Sequence, residues 1–97
     1  MKLIQAIVHN DDADAVISAL LAKGFRATRM ASTGGFLREG NTTIVSGVEE
    51  GQVDEALDII KQHVKSRLHM PKCPQGREVE ISGAIVFVIN VERLERL

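Results

Sequence analysis

The spacing of apolar residues along the chain predicts six elements in the order strand, helix, strand, strand, helix, strand. In residues 2–9, KLIQAIVH, Ile4, Ala6 and Val8 share one face of a strand and Leu3, Gln5 and Ile7 the other. The run NDD that follows supplies capping side chains. Ala13, Val16, Ile17, Leu20 and Leu21 then recur at the i, i+3, i+4, i+7, i+8 spacing of a helix stripe, which Gly24 ends, so a helix is expected over about 11–23. FRATRMAS, residues 25–32, reads as strand two, and TTIVSGV, residues 42–48, as strand three, with the Gly-rich loop 33–41 between them. In helix two, Glu49, Glu50, Asp54 and Glu55 lie near the start and Lys61, His63 and Lys65 near the end, which complements the macrodipole. Val53, Ala56, Leu57, Ile60 and Val64 form its expected buried stripe. A polar linker with Pro71, Pro74 and Gly76 leads to EVEISGAIVFVINV, residues 78–91, the most hydrophobic strand.

The order βαββαβ predicts an α+β, ferredoxin-like sandwich: a four-stranded antiparallel sheet with both helices on one face, formed as a single domain over residues 1–97. Such a sheet leaves its second face uncovered, yet that face is not polar. Ile85, Phe87, Ile89 and Val91 occupy one side of strand four while Ala84, Val86 and Val88 occupy the other, and strand one is nearly as apolar on both sides. Burying about five large side chains on the second face, at about 1.5–3 kcal/mol each before entropic costs, is enough to drive self-association. The plainer alternative is a strand that passes through its own core.

Composition narrows the function. The 97 residues are 44% hydrophobic, which suits one compact domain with a modest core. A formal net charge of −1 gives no basic field, so neither nucleic acid nor an anionic membrane is the expected partner, although a local anion site is compatible with it. The N-terminal MKLIQAIVHNDD has no signal-peptide core, no segment is long and apolar enough to span a bilayer, and Cys73 is the only cysteine; the expectation is a cytoplasmic protein without an internal disulfide. There is no G-x-x-x-x-G-K-[ST] loop, and TGGFLREG lacks the spacing of a dinucleotide fingerprint. His69 and Cys73, with His63 upstream, offer metal-ligand atoms, but Pro71 and Pro74 break any helix that would present them together. No nucleophile–base spacing argues for an enzyme.

One segment stands out. In ASTGGFLREGNTT, residues 31–43, Phe36 is one of only three phenylalanines in a chain without Trp or Tyr, and its neighbours are turn-forming and polar. FRATRMASTGGFLREGNTT, then GVEEGQVDEALDII and VEISGAIVFVINV, resemble the cyclic-di-AMP receptors of the PII-like signalling family over nearly the whole chain, most sharply from Arg26 through Thr43 with Gly47 downstream. That resemblance implies a homotrimer of ferredoxin-like subunits that binds a small adenine nucleotide, first of all cyclic-di-AMP, in clefts between subunits. It implies no catalysis and no cofactor, and a signal passed by loop rearrangement to a downstream protein whose identity the sequence leaves open.

Carried over by position, Arg26 and Thr28 approach phosphate and ribose, Gly35, Phe36 and Leu37 form a loop wall against an adenine, Asn41 reads the base edge, Gly47 lets the ligand close to strand three, and Phe87 is a second aromatic wall. The chemistry is coherent: a phenyl ring and an amide match the face and edge of adenine, while glycine amides and an arginine suit phosphate oxygens. Two adjacent glycines and Gly40 also suggest that loop 33–41 moves when ligand arrives. The chain departs from the family in KSRLHMPKCPQGRE, a connection shorter than usual and without Tyr or Phe, so contacts from that loop are missing. Each residue also has a plainer role. Gly34 and Gly35 serve as hairpin punctuation, Phe36 as an inter-subunit contact, Thr28 and Thr42 as ordinary strand residues, Arg26 as a solvated charge, Asn41 as a turn residue and Phe87 as core. The competing functions are a PII-like sensor of ATP, ADP or AMP, and a structural or metal-responsive trimer that docks a partner protein through its Gly-rich loop.

Overall fold

The computed structural model describes residues 1–30, 40–65 and 83–97. Among these residues four strands, β1 (Lys2–His9), β2 (Thr28–Met30), β3 (Asn41–Val48) and β4 (Ala84–Asn90), form one sheet in the order β2-β3-β1-β4, with every neighbouring pair antiparallel. Two helices, α1 (Asn10–Ala22) and α2 (Val53–His63), connect them, and a 3-10 turn at Glu50–Gln52 leads into α2. The architecture is small and α+β, compatible with the expected ferredoxin-like fold.

The register decides which residues share a face. Ile4, Ala6 and Val8 of β1 pair with Ser46, Ile44 and Thr42 of β3 and with Val88, Val86 and Ala84 of β4. Ile4, Ala6, Val8, Ile44 and Val48 form one buried cluster with Ala13, Val16 and Leu20 of α1 and Ala56, Ile59 and Ile60 of α2, so this is the helix-covered face. Removing each large member from water contributes about 1.5–3 kcal/mol, which is the principal attraction between helices and sheet.

The helix ends are built differently from the simplest sequence reading. The cap of α1 is His9, whose Nδ1 accepts from the Asp11 N–H at 3.1 Å, in place of the NDD run; Asn10 is already helical and its Oδ1 accepts from the Thr42 hydroxyl. Asp12, also expected to cap, is buried, and its carboxylate accepts from the Lys65 N–H at 3.1 Å, tying the start of α1 to the exit of α2. At the other end, Gly24 has φ +87°, the Phe25 N–H reaches the Leu20 carbonyl at 3.0 Å and the Gly24 N–H reaches Leu21 at 3.0 Å. This is a Schellman motif, with Phe25 and Leu20 both buried as its hydrophobic pair.

Two stripes are rotated from their expected positions. Leu21 is 54% exposed, and in α2 Ile59 is buried while Leu57 is only partly so. Each helix packs on its partner helix as well as on the sheet, and that second contact shifts the buried face. Strand β2 covers 28–30, shorter than the expected 25–32 among the described residues, because Phe25 is drawn into the core by the helix cap.

Candidate functional site

The second face of the sheet carries the side chains that alternate with the core set, and the register arranges them in rows. Thr28, Val45, Gln5 and Phe87 make one row across all four strands; Met30, Thr43, Ile7 and Ile85 make the next. Asn41 lies opposite His9 at one end of β3, and Gly47 opposite Leu3, with Ile89 beyond, towards the other. This face is graded. Ile7, Thr43 and Asn41 are buried, whereas Thr28, Gly47, Phe87 and Ile89 are exposed.

Five of the eight sequence-predicted residues lie among the described residues, and four of these are strand residues on this one face. Thr28 is exposed on the edge strand β2. Arg26 immediately precedes that strand; its side chain is exposed and its carbonyl accepts from the Ser46 hydroxyl at 2.5 Å, which holds this stretch of backbone against β3. Asn41 begins β3 and is anchored by its surroundings: the Asn10 N–H donates to the Gly40 carbonyl at 2.8 Å, and Gly40 has the positive φ, +97°, that lets the chain turn into the strand. Gly47 is exposed near the far end of β3. Gly35, Phe36 and Leu37 lie outside the described residues, as do His69 and Cys73.

The arrangement joins some of these residues and separates others. Thr28 and Asn41 sit at the β2–β3 side of the sheet, but Thr28 and Phe87 stand at opposite edges of one row, three strand spacings or about 14 Å apart. Asn41 and Gly47 are six residues apart on one strand, about 20 Å. A single sheet face therefore presents polar groups at one edge and an aromatic ring at the other. Phe87 is 39% exposed and does not join the buried core, which removes the plain core role for it. The alternation that put Val86 and Phe87 on different faces was legible; that the C-terminal half of β4 projects beyond the core was not, because no local pattern encodes where the helices stop.

On the helix-covered side, a groove of about 300 Å³ runs between α2 and β4, lined by Leu57, Ile60, Lys61, Val64, Gly83, Ala84 and Val86. None of the described ligand candidates, Arg26, Thr28, Asn41, Gly47 and Phe87, lines it. His63, half-buried in α2, has its Nδ1 hydrogen-bonded to the Ile59 carbonyl at 2.8 Å. Among the described residues, no helix is long and apolar enough to cross a membrane. Thr43, in the centre of the buried end of the open face, is a polar residue that sequence patterning did not single out, since threonine is an ordinary strand residue.

The fold is shared with a solved structure. The structure is similar to the crystal structure of a functionally unknown protein from Pediococcus pentosaceus ATCC 25745, at 39% sequence identity and a TM-score of 0.73, covering 99% of this chain and 96% of that one. A family model described as cyclic-di-AMP receptor matches residues 1–97. With the match running over the whole chain, the protein belongs to the cyclic-di-AMP receptor family.

Proposed function

We propose that this chain is the subunit of a homotrimeric, PII-like receptor that binds cyclic-di-AMP between neighbouring subunits, without catalysing a reaction on it. The family match over residues 1–97 carries this reading. The sheet supports the inter-subunit placement. Thr28 and Phe87 are too far apart to grip one base within a chain, but an edge bearing Thr28 on one subunit and an edge bearing Phe87 on its neighbour make two sides of a cleft. Exposed Phe87, Val88 and Ile89 present both faces of one strand end to such a neighbour.

In this reading Arg26 and Thr28 serve phosphate and ribose, Asn41 the adenine edge, Gly47 the close approach of the ligand, and Gly35, Phe36, Leu37 and Phe87 the base walls. A base stacked on a phenyl ring contributes about 1–3 kcal/mol. Ordering of loop 33–41 around the ligand changes the surface offered to a downstream protein, and differential affinity for the two loop states is what transmits the signal. The single cysteine fits a reducing compartment, and the receptor is read as cytoplasmic.

The test is a thermal and calorimetric titration of the purified protein with cyclic-di-AMP, other cyclic dinucleotides, ATP, ADP, AMP and divalent metals. At free ligand 100 times the dissociation constant, stabilisation is expected to reach about 2.7 kcal/mol per site for cyclic-di-AMP. Trypsin cleavage after Arg38 reads the loop in the same samples and is expected to be suppressed by that ligand. A response to a mononucleotide alone identifies a different sensor, and a response to no nucleotide defeats the receptor reading.

A further inference from the structure

Thr43 is 1% exposed, and its Oγ1 has no hydrogen-bond partner among the described residues. Its cross-strand neighbours are Met30 on β2 and Ile7 on β1, neither of which offers a suitable side-chain partner, and the helices pack on the other face. A hydroxyl shut away from water without a partner destabilises the protein, whereas valine fills nearly the same shape with no polar atom to desolvate. Strand preference does not explain the choice, because valine is as well suited to a strand as threonine.

Thr43 lies beside residues already assigned to the proposed site. It lies two residues from Asn41 on the same strand and face, about 7 Å along β3, and one row from Thr28. We propose that Thr43 is a further residue of the nucleotide site, whose hydroxyl is satisfied by the adenine base that Asn41 also reads. This rests on the receptor reading above. A hydroxyl has one donor and two acceptor positions, so it pairs with a ring nitrogen or with the exocyclic amine of the base. Met30, paired with Thr43 across β2 and β3, is 47% exposed and flexible enough to move aside for the base.

Wild type, Thr43→Val and Thr43→Ser are compared by calorimetry with cyclic-di-AMP and by unfolding without ligand. Thr43→Val is expected to weaken binding about tenfold while making the ligand-free protein more stable, and Thr43→Ser, which keeps the hydroxyl, to bind within a few-fold of wild type. Unchanged affinity in Thr43→Val, beside normal wild-type binding, overturns the assignment and leaves the receptor reading intact. A ligand-free Thr43→Val less stable than wild type shows the hydroxyl to be satisfied within the protein, and equal losses in both variants assign the effect to packing; either result also overturns it. Absence of binding by the wild type defeats the receptor reading and this inference together.

Discussion

Nothing among the described residues requires Gly47 to lack a side chain. Among the described residues, a Cβ at that position meets only Met1 Cε, at 3.1 Å, and that atom is the free end of a flexible side chain. Its backbone is not in the left-handed region, so alanine is conformationally acceptable there. In the proposed site, glycine at 47 serves the close approach of the ligand. Gly47→Ala is accordingly expected to leave ligand-free stability within about 0.5 kcal/mol of wild type or slightly above it. Cyclic-di-AMP binding should weaken by about 1–3 kcal/mol, the usual cost of forcing a methyl into a close-packed contact. Calorimetry beside urea unfolding separates the two effects, and unchanged affinity removes Gly47 from the site.

At the scale of elements, the ends of α1 brace the segments that carry the proposed site residues. Its first turn is bound to the start of β3 through Asn10, Gly40 and Thr42 and to the end of α2 through Asp12 and Lys65. Its last turn closes on Phe25, from which the chain runs directly into Arg26 and Thr28. Gly24 makes that closure possible, and none of the described residues lies within 4 Å of a Cβ added there, so the cost of substitution expected from them is conformational and not steric crowding. Gly24→Ala is expected to destabilise the protein by about 1–2 kcal/mol, the usual penalty for a left-handed residue with a Cβ. Chemical denaturation measures it; a neutral result would mean that the cap contributes little to holding β2 in place.

For the molecule as a whole, the decisive feature is the sheet edge formed by β4. Ile85 and Val86 are half-buried, whereas Phe87, Val88 and Ile89 are 39%, 44% and 43% exposed, on alternating faces of the strand. Such an edge is a template for association, and natural proteins usually protect or cover it. Light scattering of the ligand-free protein is expected to give about three times the chain mass of 10.6 kDa. Ile89→Asp, which places a charge in the proposed interface and outside the intrachain core, should reduce that mass to a single chain and abolish nucleotide binding while circular dichroism stays native-like. A folded wild-type monomer that still binds cyclic-di-AMP would rule out the cleft between subunits.

The element order and the two faces of β1 and β4 were legible in the chain because they depend on local periodicity, and the left-handed stop at Gly24 because it depends on one residue type. The run from Arg26 to Thr43 carried the family resemblance in the same direct way. Other features needed the third dimension. His9 caps α1 in place of the acidic run because β1 delivers its imidazole to the Asp11 N–H, and Asp12 is free to be buried because Lys65, fifty-three residues away, returns beside it. Ile59 is buried and Leu21 exposed because each helix answers to a second helix as well as to the sheet. Strand order, which no single strand encodes, put Thr28 and Phe87 on opposite edges of one row, so residues that a linear reading gathers into one site become the two sides that neighbouring chains would bring together.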